Sequence, residues 1–342
     1  MFADYFIIFD EKSMIRVAIN GFGRIGRTVT RLLIKTAGVE LVVINDLADI
    51  KTMSHLFKYD STHGVFNGTI ENVGDKMIIN NHPIFYCQEK DPEKLPWDSL
   101  NIDVVIEATG LFKTKDKANK HILAGARKVI ISAPPADNNV KTVVIGVNDS
   151  ELTDEEIIIS NASCTTNNAA PMIQLLNEIC GIESCYITTV HSYTGDQRLQ
   201  DAPHNDLRRA RAAAQSIVPT TTGAAKALTK IFPKIEDKIG GCGIRVPVQD
   251  GSLTDITCVV QNPLSVEEIN KAFELSATNQ YKGILEYTEE PIVSSDVIGN
   301  SHSCVFDSQL TSVIGNMVKI VGWYDNEMGY SNRLVELVKK IG

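Results

Sequence analysis

The chain has 342 residues, 43% of them hydrophobic, which suits two cores better than one. Its formal net charge of −9 argues against a general binder of nucleic acid or anionic membrane, so a phosphate site must gather its positive charge locally. Seven cysteines without a C-x-x-C pair fit reduced thiols in a cytoplasmic protein, not a disulfide framework or zinc site, and no apolar run reaches the ~18 residues of a membrane span.

Residues 1–13 are apolar in patches, are interrupted by acids and lack the cationic start of a signal peptide. Met14 stands just before the first strong strand signal, so the segment reads as a short extension or a consequence of start-site choice. From Ile15, short continuous apolar runs predict strands over Ile15–Asn20, Glu40–Asn45, Asp103–Ala108, Lys128–Ser132 and Thr142–Val147. Helices are predicted over Arg24–Thr36 and Lys115–Ala124. This alternation is that of a doubly wound parallel α/β sheet. Beyond it, Thr165–Cys180 reads as helix and Cys185–His191 as strand. Residues 192–218 form a long polar, Arg-rich stretch, of a length that usually has a function. A helix near Gly223–Ile231, strands Gly241–Val248 and Leu253–Gln261, and helices Val266–Thr278 and Glu327–Lys340 complete the order.

The first motif is Gly21-Phe22-Gly23-Arg24-Ile25-Gly26, a G-x-G-x-x-G set between a strand and a helix. Gly21 permits the tight turn, Gly23 lets the backbone approach a pyrophosphate, and Gly26 lets helix and strand pack closely. Asp46 lies twenty residues beyond Gly26, at the end of the second strand. A carboxylate there accepts from both ribose hydroxyls and repels a 2′-phosphate, favouring NAD over NADP; its alternative role is a helix cap.

The second motif is Ser160-Asn161-Ala162-Ser163-Cys164-Thr165-Thr166-Asn167-Asn168, small polar residues just before a helix. A thiol at a helix start sees the positive end of the peptide dipole, and a catalytic thiol normally also needs an imidazole. His191, at the end of a strand, is a candidate partner; by type alone, an inert cysteine and a structural histidine remain open. Thr194, Thr222 before a helix, and Arg245 after a Gly-rich turn are candidate phosphate contacts. Thr222 as an N-cap and Arg245 as an exposed strand charge are the plainer alternatives. For Arg208 and Arg211 an interface is the favoured reading.

Taken together, Ile19–Arg27, Ser160–Asn167, His191–Thr194, Gly223–Ala227 and Trp323-Tyr324-Asp325-Asn326-Glu327 resemble phosphorylating glyceraldehyde-3-phosphate dehydrogenases, in that family's order and over about residues 15–340. The resemblance implies a Rossmann domain over 14–163, an α+β catalytic domain with a largely antiparallel sheet over 164–326, and a final helix, 327–342, returning to the first domain. It implies a cytoplasmic homotetramer using NAD, glyceraldehyde 3-phosphate and inorganic phosphate, with no metal. Cys164 becomes the nucleophile and His191 its partner. Thr194 and Arg245 would hold the C3 phosphate, and Ser163, Thr165, Thr222 and Gly223, with Arg209, the attacking phosphate. For the cofactor it implies Gly21, Gly23 and Gly26 in the turn, Arg24 and Ile25 at the pyrophosphate, Asp46 at the adenosine ribose, Lys90 beside it, Ser132 toward the nicotinamide side, and Asn326 on the carboxamide. The stretch 192–218 would pack against a neighbouring subunit's cofactor.

Four departures stand out. Asn168 replaces a usual second cysteine, removing a thiol that could trap oxidised Cys164. Lys90 stands where bacterial members usually have arginine, a weaker planar contact. Ala202-Pro203 has a small residue where NAD-specific members often have a bulkier one, and residues 1–13 have no counterpart. The rivals are an erythrose-4-phosphate dehydrogenase on the same fold and a non-catalytic, nucleic-acid-binding or scaffold paralogue.

Overall fold

The structure, a computed structural model, describes residues 14–342; the expectation for residues 1–13 lies outside them. Ile15–Asn20 is buried from Val17 onward and forms the middle of a nine-stranded sheet. From one edge, the order is Lys141–Thr142, Ile158–Ser160, Lys128–Ile131, Val104–Glu107, Ile15–Asn20, Val39–Asn45, His82–Cys87, Lys76–Ile79 and Ile70–Val73. The first seven run parallel, and the last two extend the sheet as antiparallel hairpins. Helices α1 (Arg24–Leu33), α2 (Ile50–Lys58) and α3 (Lys115–Leu123) connect strands of this sheet.

Two expectations are corrected here. The apolar run Thr142–Val147 is a strand only over Lys141–Thr142. Asn148 folds back to accept from the Val144 N–H and to donate to the Thr142 carbonyl, and Gly146 has φ +82°, so the chain turns instead of extending. The strand that fills the sheet is Ile158–Ser160, too short to signal itself. Helix α1 also ends at Leu33, three residues short of the expected Thr36.

The second sheet runs Val218–Thr220, Ile239–Val246, Ile182–Ser192, Ser252–Val260, Met317–Tyr324, Cys304–Asp307 and Leu285–Thr288, with Ser312–Ile314 pairing Met317–Tyr324. Its pairings are antiparallel except those of Ile182–Ser192 with Ile239–Val246 and of Leu285–Thr288 with Cys304–Asp307. Helix α4 (Cys164–Cys180) shares its core: Ala169, Met172, Ile173 and Leu176 pack with Ile187, Ile256 and Ile320. Helices α5 (Ala224–Ile231) and α6 (Val266–Thr278) flank it. The last helix, α7 (Met328–Ile341), carries Tyr330, Leu334 and Val338 at four-residue spacing, one face, into the first domain's core beside Val29 and Leu33. The chain end therefore ties the two domains together. Among the described residues, no helix is long and apolar enough to cross a membrane.

Candidate active site

The glycine turn builds the first cleft. Gly21 has φ +97°, and a Cβ on it would meet the Thr109 backbone at 2.7 Å; a Cβ on Gly26 would strike the Gly21 carbonyl at 2.2 Å. Only hydrogen fits at either place. At Gly23, by contrast, a Cβ would meet nothing within 4 Å, because that face is open cleft. Helix α1 starts there with neither a side-chain cap nor an acid in its first turn, leaving its first amides to an anion. The cleft, of about 310 Å³, is lined by Gly21, Gly23, Asp46, Leu47 and Lys90 among others. Asp46 accepts from the Phe22 N–H at 2.7 Å and from the Ala48 N–H at 3.0 Å, so it staples the turn as well as facing the cleft. The cap of α2 is Asp49, not Asp46.

Arg24 opens α1 at the edge of this cleft. Its guanidinium is bound to Asp60 at 2.5 Å and to Glu327, so only its main-chain N–H, with that of Ile25, can serve a pyrophosphate. Ser132 follows the strand Lys128–Ile131 and lies outside the cleft lining, with its N–H on the Glu107 carbonyl. Asn326 is buried, and its Oδ1 accepts from Ser192 at 2.8 Å and Ser252 at 2.7 Å. Its amide nitrogen is thus the end left to meet a ligand carbonyl. The residues fit a dinucleotide.

The second site lies where α4 begins. Ser163 caps the helix, accepting from the Thr166 N–H at 3.1 Å. Ala162 before it has φ +55°, a left-handed conformation that costs about 1–3 kcal/mol outside glycine. That strained turn puts Cys164 at the first helical position, with Sγ 3.4 Å from His191 Nε2. His191 reaches it from the end of Ile182–Ser192. Its Nδ1 lies 2.8 Å from the Ser192 carbonyl and 2.5 Å from Arg245 Nη1. Behind the pair, Tyr324 O–H bridges Thr165 Oγ1 and Thr189 Oγ1, each at 2.9 Å, and its ring meets the imidazole edge-on.

Burial pushes the Cys164 thiol up from its ordinary range, while the Arg245 cation and the Thr165 N–H pull it back. Burial, followed by the Arg245 charge, pushes the His191 imidazole down to about 3. Burial thus opposes ionisation of both groups in the folded chain.

A pocket of about 130 Å³ opens over the sulfur. Ser163, Thr165, Arg209, Thr222, Gly223 and Arg245 line it, as the sequence reading expected. Thr194 does not; it is half-buried, and its carbonyl accepts from the Gln197 N–H. Thr222 Oγ1 takes the Ala224 N–H at 3.2 Å in a turn before α5, whose N-cap is Gly223 with no side-chain cap, so Thr222 is not the N-cap. Arg209 is partly neutralised by Asp196 at 2.5 Å. Thr220 and Thr221, from the same run before α5 as Thr222, line it too; the sequence reading missed Pro134, Thr189 and Gly243. Alternation along Ile187–His191 was the available signal for Thr189, since it shares a face with His191. Of the other cysteines, 180, 185, 258 and 304 are buried, and Cys87 and Cys242 are half-buried.

Dinucleotide cleft and thiol–imidazole pair are carried by different domains of one chain, the layout of an NAD-dependent dehydrogenase that works through cysteine. Comparison with known proteins makes the class specific. Residues 15–115 match the family described as glyceraldehyde 3-phosphate dehydrogenase, NAD binding domain, and residues 163–326 match its C-terminal domain. The chain is 52% identical over 329 residues to a glyceraldehyde-3-phosphate dehydrogenase of Thermotoga maritima, covering 95% of this chain and 98% of that one. It is 50% identical over 335 residues to that of Mycobacterium avium and 49% over 331 to glyceraldehyde-3-phosphate dehydrogenase 2 of Streptomyces avermitilis, each covering 96% of this chain and 98% of the relative. The chain belongs to the glyceraldehyde 3-phosphate dehydrogenase family.

Proposed function

We propose that this chain oxidises glyceraldehyde 3-phosphate with NAD and inorganic phosphate to 1,3-bisphosphoglycerate, through a thioester on Cys164. The observation that carries the reading is the 3.4 Å approach of Cys164 Sγ to His191 Nε2 under a pocket holding two arginines. Arg245 is bound to His191 Nδ1 and the Ser192 carbonyl. A substrate phosphate competes for that guanidinium, frees Nδ1 to donate to the Ser192 carbonyl, and leaves Nε2 as the base for the thiol proton. The sulfur then adds to the aldehyde carbon, and the Cys164 N–H with the imidazolium stabilises the oxyanion. The imidazolium passes its proton to that oxygen, giving a hydroxyl; bound NAD would supply the acceptor for the hydride leaving the carbon, while the neutral His191 takes the hydroxyl proton back. Inorganic phosphate, held by Ser163, Thr165, Thr222, Gly223 and Arg209, cleaves the thioester and returns the sulfur to its resting place. Arg245, with Thr194, holds the C3 phosphate.

For the cofactor, the reading assigns the first amides of α1 to the pyrophosphate, Asp46 to the ribose, Lys90 to its flank, Ser132 to the nicotinamide side and Asn326 to the carboxamide. Residues 14–163 and the final helix form the cofactor domain, and 164–326 the catalytic one. Leu199, Leu207 and Ile217, each more than two-thirds exposed on the polar stretch 192–218, support burial against another copy and hence a homotetramer, here read as cytoplasmic. Retention of both thiol and imidazole speaks against a non-catalytic paralogue, and the names of the relatives speak against erythrose 4-phosphate. In the test, Cys164→Ser abolishes phosphate-dependent NADH formation while NAD still binds; a variant with full activity refutes the reading.

A further inference from the structure

Between the two domains, away from the thiol, four carboxylates gather around Arg24 and His63. Asp60 and His63 come from the loop after α2, Arg24 from the start of α1, Asp250 from the turn before Ser252–Val260, and Asp325 and Glu327 from the turn into α7. The side chains of Asp250 and Asp325 are wholly buried, and those of Asp60 and His63 nearly so. Three of the four carboxylates are well supplied with donors. Asp60 takes Arg24 and the N–H groups of Thr62 and His63. Glu327 takes Arg24 and His63 Nε2, the latter at 2.9 Å. Asp325 takes the N–H groups of Gly299, Glu327 and Met328 at 2.7, 2.8 and 2.7 Å. Asp250 has the Gly251 N–H on Oδ1 and no hydrogen bond on Oδ2, which lies 3.8 Å from His63 Nε2. A buried anion with a bare oxygen beside two other carboxylates is the costliest member of the set.

We propose that Asp250 carries a proton at neutral pH and donates it to the Asp325 carboxylate, and that this acid–carboxylate pair is a positioning device for Asn326. One side-chain nitrogen or oxygen from each of His63, Asp250 and Asp325 lies within 4.8 Å of the others, so the two carboxylates share one buried cluster. Burial first, and then the charges of Asp325 and Glu327, push Asp250 up to about 8. The groups facing it are Asp325 and Glu327 from the turn into α7 and His63 from the first domain, with Arg24 and Asp60 behind. A metal ion is the weaker occupant, because the Asp325 oxygens already meet three N–H groups and His63 Nε2 is spent on Glu327. A single proton meets the need of Oδ2.

The link to the cofactor is short. Asn326 sits between Asp325 and Glu327 in the chain, and its Oδ1 is held by Ser252, two residues after Asp250. Both strands of that anchor therefore end at the acid–carboxylate pair. Loss of the proton sets two anions against each other and drives the Asp250 and Asp325 turns apart, taking Asn326 from its serines. Asp250 is a positioning residue, and the inference rests on the assignment of Asn326 to the carboxamide of NAD.

The experiment titrates NAD binding to the full chain from about pH 6.5 to about pH 9.5. Wild type loses affinity several-fold through about pH 8, whereas Asp250→Asn, neutral at every pH and able to donate its amide N–H, matches wild type at pH 7 and keeps its affinity above. Parallel profiles overturn the proposal, and so does a loss of NAD affinity on adding EDTA, which would put a cation at Oδ2. Infrared titration of wild type gives a second measurement should the variant not fold: a protonated carboxyl band persisting above pH 7 is expected, and its absence refutes the shared proton. Asn326→Ala separates the two levels. If it weakens NAD at all pH values while the Asp250→Asn profile parallels wild type, the proposal alone fails; if it binds NAD normally, the carboxamide assignment falls and takes the proposal with it.

Discussion

Replacing Tyr324 by phenylalanine removes one oxygen from behind the catalytic pair and keeps the ring that packs on His191. The direction of each bond to that oxygen follows from its neighbours. Thr189 Oγ1 donates to the Leu253 carbonyl at 3.3 Å, so it must accept from Tyr324 O–H, and Tyr324 in turn accepts from Thr165. The substitution breaks both tyrosine bonds and leaves a buried donor on Thr165 and a buried acceptor on Thr189. Two net bonds at ~0.5–1.5 kcal/mol each, with the added cost of an unpaired buried group, give a loss of about 2–3 kcal/mol. Urea unfolding followed through the catalytic domain measures it as a lower midpoint at unchanged slope. Thr165 adjoins the nucleophile in sequence, so alkylation of Cys164 by iodoacetamide should change in the same variant. A stability loss under ~0.5 kcal/mol would show that the hydroxyl chain is not formed.

Two further outcomes follow from the site. Asp46→Ala removes the acceptor of the Phe22 and Ala48 N–H groups as well as the carboxylate lining the cleft, to which the proposed function gives the ribose. NAD binding should weaken by ~10-fold or more and discrimination against NADP should fall, as read by titration of both cofactors; retained NAD affinity with NADP still excluded would remove Asp46 from this role. His191 is neutral in the fold, with its pKa lowered to about 3 by burial and by Arg245, whereas an unfolded histidine titrates near ~6.5. The unfolded chain thus binds a proton that the folded chain refuses, and stability falls as pH drops from ~6.5 toward 3. By pH 5 the loss from this group is about 2 kcal/mol. His191→Asn should show a correspondingly smaller loss between pH 7 and pH 5 in urea midpoints, together with ~10²–10⁴-fold slower turnover. Equal losses in the two proteins would place His191 in contact with water.

Legibility in the sequence followed how local the physics was. The turn at Gly21–Gly26 was readable because each glycine answers a contact made within a few residues or with the next strand. Cys164 at the start of α4 was readable because a capping serine and a run of small polar residues mark a helix start. The last three residues expected of α1, 34–36, and the run Thr142–Val147 misled, the latter because apolar content is shared by strands and by buried turns. In the second run Asn148 decided the outcome through bonds to the Val144 N–H and the Thr142 carbonyl. The hairpins over Ile70–Cys87 went unread because their strands are short and partly exposed, and so have little period to recognise.

The amino-acid order by itself determined the glycine turn, the carboxylate Asp46 at the end of the second strand, the helix start at Cys164 and the final helix, all of which depend on spacing along one element. Only the tertiary structure decided which partners these groups meet. It set His191 3.4 Å from Cys164, bent Arg24 away from the cleft onto Glu327, 303 residues away, and left Asp250 with one bare oxygen between domains. Hydrogen bonds and charges act over a few ångströms of space, and the sequence states only distance along the chain. Protonation is the furthest removed from it, because burial and neighbouring charge fix it together once the fold has closed.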